Sequence, residues 1–218
     1  MNHYSIAIDG TAGAGKSTVA KLIAKKLNID YIDTGAMYRA FTFKLINNKV
    51  DLNDIEKVIE ILKTTSIDFK DNHIYLDHTI VDEEIRENNI SNNVSKIATI
   101  KEVRERLVEL QREIASNKST VMDGRDIGST VLKNAKYKLF LTASVNERAS
   151  RRYEELKLKD STISLDSVKE DIIKRDTMDS TREISPLVKC YDAIEIDTTD
   201  ENIDETVERI LEIIKMGN

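Results

Sequence analysis

The residues with the clearest chemistry lie near the N-terminus, where a lysine and a serine follow closely spaced glycines. Residues 10–17 read Gly-Thr-Ala-Gly-Ala-Gly-Lys-Ser, which matches the phosphate-binding pattern G-x-x-x-x-G-K-[ST]. In this pattern backbone N–H groups converge on a phosphate, the lysine reaches the β- and γ-phosphates, and the hydroxyl binds Mg²⁺. The residues predicted to hold a nucleoside triphosphate are Gly10, Thr11, Ala12, Gly13, Ala14, Gly15, Lys16, Ser17 and Thr18.

The segments on either side of this loop give it the context that the pattern requires. The apolar run at 4–8 predicts a buried strand, and residues 18–27 carry apolar side chains at helical spacing. A strand, a glycine loop and a helix in this order place the loop at a helix N-terminus, where the backbone field favours anions. We therefore expect a nucleoside triphosphate and Mg²⁺ to bind here.

A second polar group follows the short apolar strand predicted at 120–122. In proteins with this loop, an acid at the position of Asp123 holds Mg²⁺ opposite the loop hydroxyl. Ser17 and Asp123 are therefore the predicted metal ligands, with a turn or capping role as the alternative for the Asp-Gly pair. Arg125 follows at once, and guanidinium groups suit bidentate phosphate binding, although any single arginine can be a solvated surface charge.

Composition limits the class of protein. The chain has 218 residues and a formal net charge of -6, which argues against nucleic acid or an anionic membrane as the main partner. The single cysteine, Cys190, excludes an internal disulfide and fits a reducing compartment. No apolar stretch approaches the roughly 18 residues of a membrane helix. A strand is predicted at the very start, so we expect a cytoplasmic protein without a signal peptide.

Strands and helices alternate along most of the chain, which predicts an α/β fold whose parallel sheet is covered by helices on both faces. Short alternating runs between residues 67 and 81 predict a small antiparallel meander inserted into that order. Helices are expected at 100–115, 146–156 and 164–178. Ligands of such sheets lie at the carboxyl ends of the strands, which is where the glycine loop, Asp33 and Asp123 fall.

One alternative comes from residues 48–51, Asn-Lys-Val-Asp, which match the N-K-x-D pattern by which GTPases read guanine. This segment lies too close to the glycine loop for the intervening strands of a GTPase, and the chain has no D-x-x-G segment. We therefore interpret it as a polar helix end. A nucleotide-binding regulatory module would leave the arginines near the C-terminal half without a role.

Five segments in the same order and spacing resemble those of bacterial cytidylate kinases, which are nucleoside monophosphate kinases with a P-loop. They are residues 10–17, 33–39, 123–128, 148–152 and 175–187, and D-T-G-A-M-Y-R at 33–39 and D-G-R-D-I-G at 123–128 are the most specific. The resemblance implies a five-stranded parallel sheet flanked by helices, an insert that binds the monophosphate, and a short helical lid. It also implies a single domain over 1–218, with a core of 1–34, 118–145 and 184–218, the insert at about 35–117 and the lid at about 146–165.

The same resemblance implies an activity and its participants. ATP would phosphorylate CMP or dCMP, giving ADP and CDP or dCDP, in a monomer that binds neither nucleic acid nor membrane. Closure of the lid over ATP, bordered by Arg148, Arg151 and Arg152, would exclude water. A P-loop kinase for another small acceptor, such as UMP or shikimate, is the alternative.

The resemblance also implies roles for individual residues. The acceptor phosphate would be held by Thr34, Arg39, Arg125 and Arg182. Cytosine would be read by Ser95, Arg104 and Asp126, and the sugar by Arg175 and Asp179. The catalytic residues would be Lys16, Arg125, Arg151 and Arg182.

Overall fold

The computed structural model describes residues 3–70, 73–158 and 161–217 and confirms the predicted α/β fold. Its strands are β1 (Ser5–Gly10), β2 (Asp30–Asp33), β3 (Ile67–Lys70), β4 (His73–Leu76), β5 (Thr79–Ile80), β6 (Thr120–Asp123), β7 (Tyr137–Thr142) and β8 (Ile194–Asp197). Its α-helices are α1 (Lys16–Leu27), α2 (Thr34–Asn47), α3 (Ile55–Lys63), α4 (Asn88–Ile97), α5 (Lys101–Ala115), α6 (Val145–Lys157), α7 (Leu165–Thr181) and α8 (Ile203–Met216). Within the described residues, none of these helices is both long and apolar enough to span a membrane.

The main sheet has five parallel strands in the order β2-β6-β1-β7-β8. Its central strand β1 is buried on both faces, because Ile6, Ala7 and Ile8 are fully enclosed. Ile8 pairs with Asp123 at the end of β6, and Gly10 pairs with Leu141 in β7. The sheet therefore brings the glycine loop after β1 and the acid at the end of β6 to the same edge.

The chain divides into two compact units. Residues 1–30 and 119–218 form the first unit, and residues 31–118 form the second. The finer division into core, insert and lid stays a prediction. Residues 71–72 of the expected insert and 159–160 of the expected lid lie outside the described residues.

In the first unit, α6 and α7 pack against each other through a small apolar cluster. Ala149 of α6 and Val168 and Ile172 of α7 are buried there. Burying side chains of the size of Val168 and Ile172 contributes roughly 1.5–3 kcal/mol each to stability. This packing fixes α6 and α7 relative to each other, and with them the polar side chains that the two helices carry.

The second unit contains the predicted meander as an antiparallel sheet in the order β3-β4-β5. Its inward positions, Ile67, Phe69, Ile74 and Leu76, alternate with exposed residues, which is the pattern of a sheet with one solvated face.

Helix α4 of the second unit was not expected from the sequence. Asparagine and serine, which are weak helix formers, fill most of its ten residues. Its apolar residues Ile90, Val94 and Ile97 are buried at the spacing of one helix face. Packing of that face therefore overrides the low helix propensity of the segment.

Candidate active site

The glycine loop begins at Gly10, the last residue of β1, which pairs with Leu141 of β7. Gly10 has a φ of +146°, and a Cβ at this position would lie 1.9 Å from the carbonyl oxygen of Leu141. No L side chain fits there without moving a central strand. Gly10 therefore allows β1 to stay paired with β7 up to the point at which the loop turns away.

Lys16 begins α1 and is 6% exposed. Its Nζ donates a hydrogen bond of 2.6 Å to the carbonyl oxygen of Thr11, inside the loop. Burial lowers the pKa of Lys16 well below its usual value, and Arg125 lowers it further, while Asp123 opposes the change. A bound anion would oppose both causes, so the ammonium group suits a phosphate.

Ser17 and Asp123, the predicted metal ligands, are in direct contact. The hydroxyl of Ser17 donates to Oδ2 of Asp123 over 2.8 Å, and Asp123 is buried. Mg²⁺ takes hard oxygen ligands and commonly binds through one or two protein groups together with water and phosphate oxygens. The oxygen atoms of this pair fit that requirement.

Two partly buried arginines and two buried aspartates form a network beside the loop. Arg125 Nε donates to Asp179 Oδ2 over 2.8 Å. Arg182 lies 3.9 Å from Asp179 Oδ1 and 3.5 Å from Asp126 Oδ1, and its Nε donates to the carbonyl of Ser185. Burial alone would raise the pKa of Asp179, but the surrounding arginines lower it overall.

Arg175 adds a third positive charge to this network. It lies one helical turn before Asp179 on α7, and it lowers the pKa of both Asp179 and Lys16. With three arginines against two aspartates, the network carries a net positive charge. A surplus of positive charge on partly buried arginines favours an anionic ligand.

The remaining predicted binding residues lie in the second unit. Asp33 caps α2 by accepting from the backbone N–H of Ala36, and its other oxygen is 3.0 Å from Arg39. This double contact fixes the start of α2, at which Thr34 is buried. The second unit thus holds one arginine of the expected phosphate group in a defined position.

The two expected cytosine readers of the second unit lie on different helices. Arg104 of α5 is buried, donates to the carbonyl of Ala98 and lies over the ring of Tyr38. Ser95 lies half-buried on α4. Their assignment to the base stays a prediction, as do the other site roles inferred from the sequence.

The arginines expected at the border of the lid differ in their surroundings. Arg151 donates to the carbonyl oxygens of Thr198 and Glu201 and to the side chain of Glu147. Arg152 forms an exposed ion pair with Glu155, whereas Arg148 is buried against the glycine loop. In this structure the guanidinium of Arg151 is thus engaged by the segment after β8, and its catalytic role stays a prediction.

Sequence reasoning missed two aspartates that hold the site's backbone. Asp9, the last side chain of β1, accepts from the backbone N–H groups of Ile127 and Gly128 over 2.7 and 2.8 Å. Asp176 accepts from the N–H of Ala12. The available signals were an acid at the end of a buried strand and an Arg-Asp pair inside a helix.

The comparisons with known proteins agree with one another. The family model described as Cytidylate kinase matches residues 6–216. The chain is 55% identical over 216 residues to the cytidylate kinase of Clostridioides difficile (strain 630), covering 99% of this chain and 100% of that protein. It is 54% identical over 215 residues to the cytidylate kinase of Alkaliphilus oremlandii (strain OhILAs), covering 99% of each.

Among solved structures, the chain resembles an uncharacterized protein from Eubacterium ventriosum ATCC 27560 with a TM-score of 0.53. The two chains are 14% identical, and the match covers 99% of each. At this identity the likeness concerns the fold alone.

Proposed function

Because the chain belongs to the cytidylate kinase family, we propose that it transfers the γ-phosphoryl group of ATP to CMP or dCMP, forming ADP and CDP or dCDP. The observation that carries this proposal is the closeness of two positively charged groups within the first unit, namely Lys16 of the glycine loop and the arginine network. The loop lysine and the arginine network lie close enough for Arg125 to shift the pKa of Lys16. Two polyanions that react with each other require such neighbouring positive sites.

On the donor side, residues 10–18 would hold the phosphates of ATP. Lys16 would exchange its bond to the Thr11 carbonyl for oxygens of the β- and γ-phosphates, where charge moves during transfer. Ser17 and Asp123 would hold Mg²⁺, which neutralises charge on those oxygens when it is bound. This side therefore supplies electrostatic stabilisation that is in place before the reaction.

On the acceptor side, Arg125 and Arg182 would hold the phosphate of the monophosphate. Their ion pairs with Asp179 already fix the guanidinium groups, so little side-chain freedom is lost when the substrate binds. We also propose that Thr34 and Arg39 bind the acceptor phosphate. The acceptor phosphate is itself anionic, so positioning it in line replaces the need for a general base.

Base and sugar selection would rest on aspartates. The carboxylate of Asp126 would accept from the exocyclic amine of cytosine, a donor that uracil lacks. Asp179 and Arg175 would meet the sugar, and Ser95 and Arg104 would add contacts to the base. We further propose a cytoplasmic monomer that acts on these small molecules and does not bind nucleic acid.

A panel of acceptors tests the proposal. Release of ADP is measured with ATP, Mg²⁺ and one of CMP, dCMP, UMP, AMP or shikimate, with Lys16→Met protein as the control for contaminating kinases. We expect kcat/KM for CMP or dCMP to exceed that for every other acceptor. Equal or higher values with UMP or shikimate would replace the proposed acceptor while leaving the kinase assignment in place.

A further inference from the structure

Both backbone polar groups of Ala12, a residue of the glycine loop, are hydrogen-bonded to side chains. Its N–H donates to Asp176 Oδ1 over 2.9 Å, and its carbonyl oxygen accepts from Arg148 Nη1 over 2.9 Å. Arg148 Nη1 also bonds to Asp176 Oδ2 over 2.5 Å. These contacts close a ring of three residues, which we call the Ala12 clamp.

The clamp is built from two different helices. Arg148 belongs to the first turns of α6 and Asp176 to the last third of α7. Arg148 is 4% exposed, and its Nε donates to the carbonyl of Ala143, so its guanidinium has little freedom. The ion pair with the partly exposed Asp176 compensates the burial of the Arg148 charge, which would be destabilising without a partner.

The glycine loop also touches α6 directly. A Cβ at Gly13 would lie 3.2 Å from both Cβ and the carbonyl oxygen of Arg148, closer than most side-chain contacts. The next loop residue after Ala12 therefore packs against the helix backbone. Loop conformation and helix position are fixed together at this point.

Helix α7 continues from the clamp into the arginine network. Asp176 lies three residues before Asp179, which holds Arg125 and Arg182. One rigid helix thus carries a contact to the donor loop and a contact to the proposed acceptor site. Small displacements between reacting groups are expensive in phosphoryl transfer, because catalysis depends on alignment.

We infer that Asp176 and Arg148 are positioning residues that hold the glycine loop in its nucleotide-binding conformation and tie it to α7. The catalytic importance of this positioning rests on the proposed function, whereas the test, which measures nucleotide binding, does not. The alternative is a purely structural role, in which the ion pair stabilises the packing of α6 against α7 and has no effect on the loop. The two differ in what happens to nucleotide affinity.

The test measures binding of Mg²⁺·AMP-PNP by calorimetry to Asp176→Asn, Arg148→Gln, the double variant and Arg148→Lys. Asp171→Asn, an exposed aspartate on the same helix, is the matched control. We expect Asp176→Asn and Arg148→Gln each to weaken nucleotide binding about tenfold or more. The double variant should bind only slightly more weakly than the weaker-binding of these two single variants. Arg148→Lys, which keeps the charge, should recover part of the affinity, and Asp171→Asn should bind like wild type.

Wild-type affinity in a folded Asp176→Asn protein would overturn the inference, as would losses in the single variants that add in the double. A second measurement needs no variant, namely hydrogen exchange of the Ala12 amide in the wild-type protein. The clamp predicts slow exchange without nucleotide, whereas exchange as fast as that of an exposed loop amide would contradict it. Neither readout requires an acceptor, so failure of the clamp and failure of the CMP assignment are distinguishable.

Discussion

Replacing Asp9 by asparagine should change how the stability of this protein depends on pH. Asp9 is 4% exposed and holds the backbone N–H groups of Ile127 and Gly128, which follow the segment with Arg125 and Asp126. Burial raises the pKa of Asp9 to about 6, with Asp126 adding to the rise and the two backbone bonds opposing it. At neutral pH the side chain is ionised in an environment that favours its protonated form.

The size and sign of the effect follow from this shift. An unperturbed aspartate titrates at 3.8, and Asp9 in the folded protein at about 6. Between these values the folded state binds more protons than the unfolded state, so the free energy of unfolding falls as the pH rises. The full shift corresponds to about 3 kcal/mol, of which about 1.4 kcal/mol is lost between pH 5 and pH 7.5.

The assay is urea unfolding of wild type and Asp9→Asn at pH 5 and pH 7.5. Titrating groups that do not interact with Asp9 are common to both proteins and cancel in the difference between them. We expect the wild type to lose about 1.4 kcal/mol relative to the variant over this range, whatever the absolute stability of the variant. A difference that stays constant with pH, or that changes in the opposite direction, would refute the assigned environment of Asp9.

Four further substitutions, the last of them a control for the third, test individual parts of the site. Lys16→Met should lower kcat by on the order of 10²-fold or more, since it removes a transition-state charge contact; an unchanged or higher melting temperature should accompany it, because a buried charge is removed. Asp126→Ala should reduce the CMP/UMP ratio of kcat/KM by a factor that corresponds to roughly 1–3 kcal/mol. An unchanged ratio would mean that another residue recognises the base. Gly10→Ala should cost about 4 kcal/mol in urea unfolding from strain and overpacking together, whereas Gly15→Ala, which meets no atom within 4 Å, should show the strain of about 1–3 kcal/mol alone.

The parts of the fold that could be predicted are those whose signals are local. The phosphate-binding loop is specified by eight consecutive residues, and the main sheet by short apolar runs between amphipathic helices. The meander follows from alternation over 67–81, which the structure reproduces. Each of these patterns lies within about 15 residues and needs no knowledge of distant contacts.

The parts that could not be predicted depend on residues far apart in the chain. Asp9 and Gly128 are separated by 119 residues, and Ala12 and Asp176 by 164. The local signal of Asp176, an Arg-Asp pair inside a helix, is equally compatible with a solvated helix surface. The π-helical turn at Ile127–Val131, which follows the Asp9 contact, likewise has no periodic signal in the sequence.

In the charged network, too, local sequence signals did not reveal contacts between residues that are far apart in the chain. The resemblance assigned Arg175 and Asp179, which lie four residues apart on one helix, to the sugar. In the structure the short ion pair of Asp179 is with Arg125, 54 residues away. Spacing along one helix indicates neither the burial of Asp179 nor the partner that holds it.

The central claim, transfer of a phosphoryl group to the phosphate of a cytidine nucleotide, is tested most directly by following the products with ³¹P nuclear magnetic resonance. Purified protein is incubated with ATP, Mg²⁺ and CMP, and the same mixture with Lys16→Met protein is the control. The account predicts that diphosphate signals of CDP and ADP appear in equal amounts while those of CMP and ATP decline. Inorganic phosphate appearing with ADP, and no CDP, would show hydrolysis of ATP in place of transfer and would contradict the account.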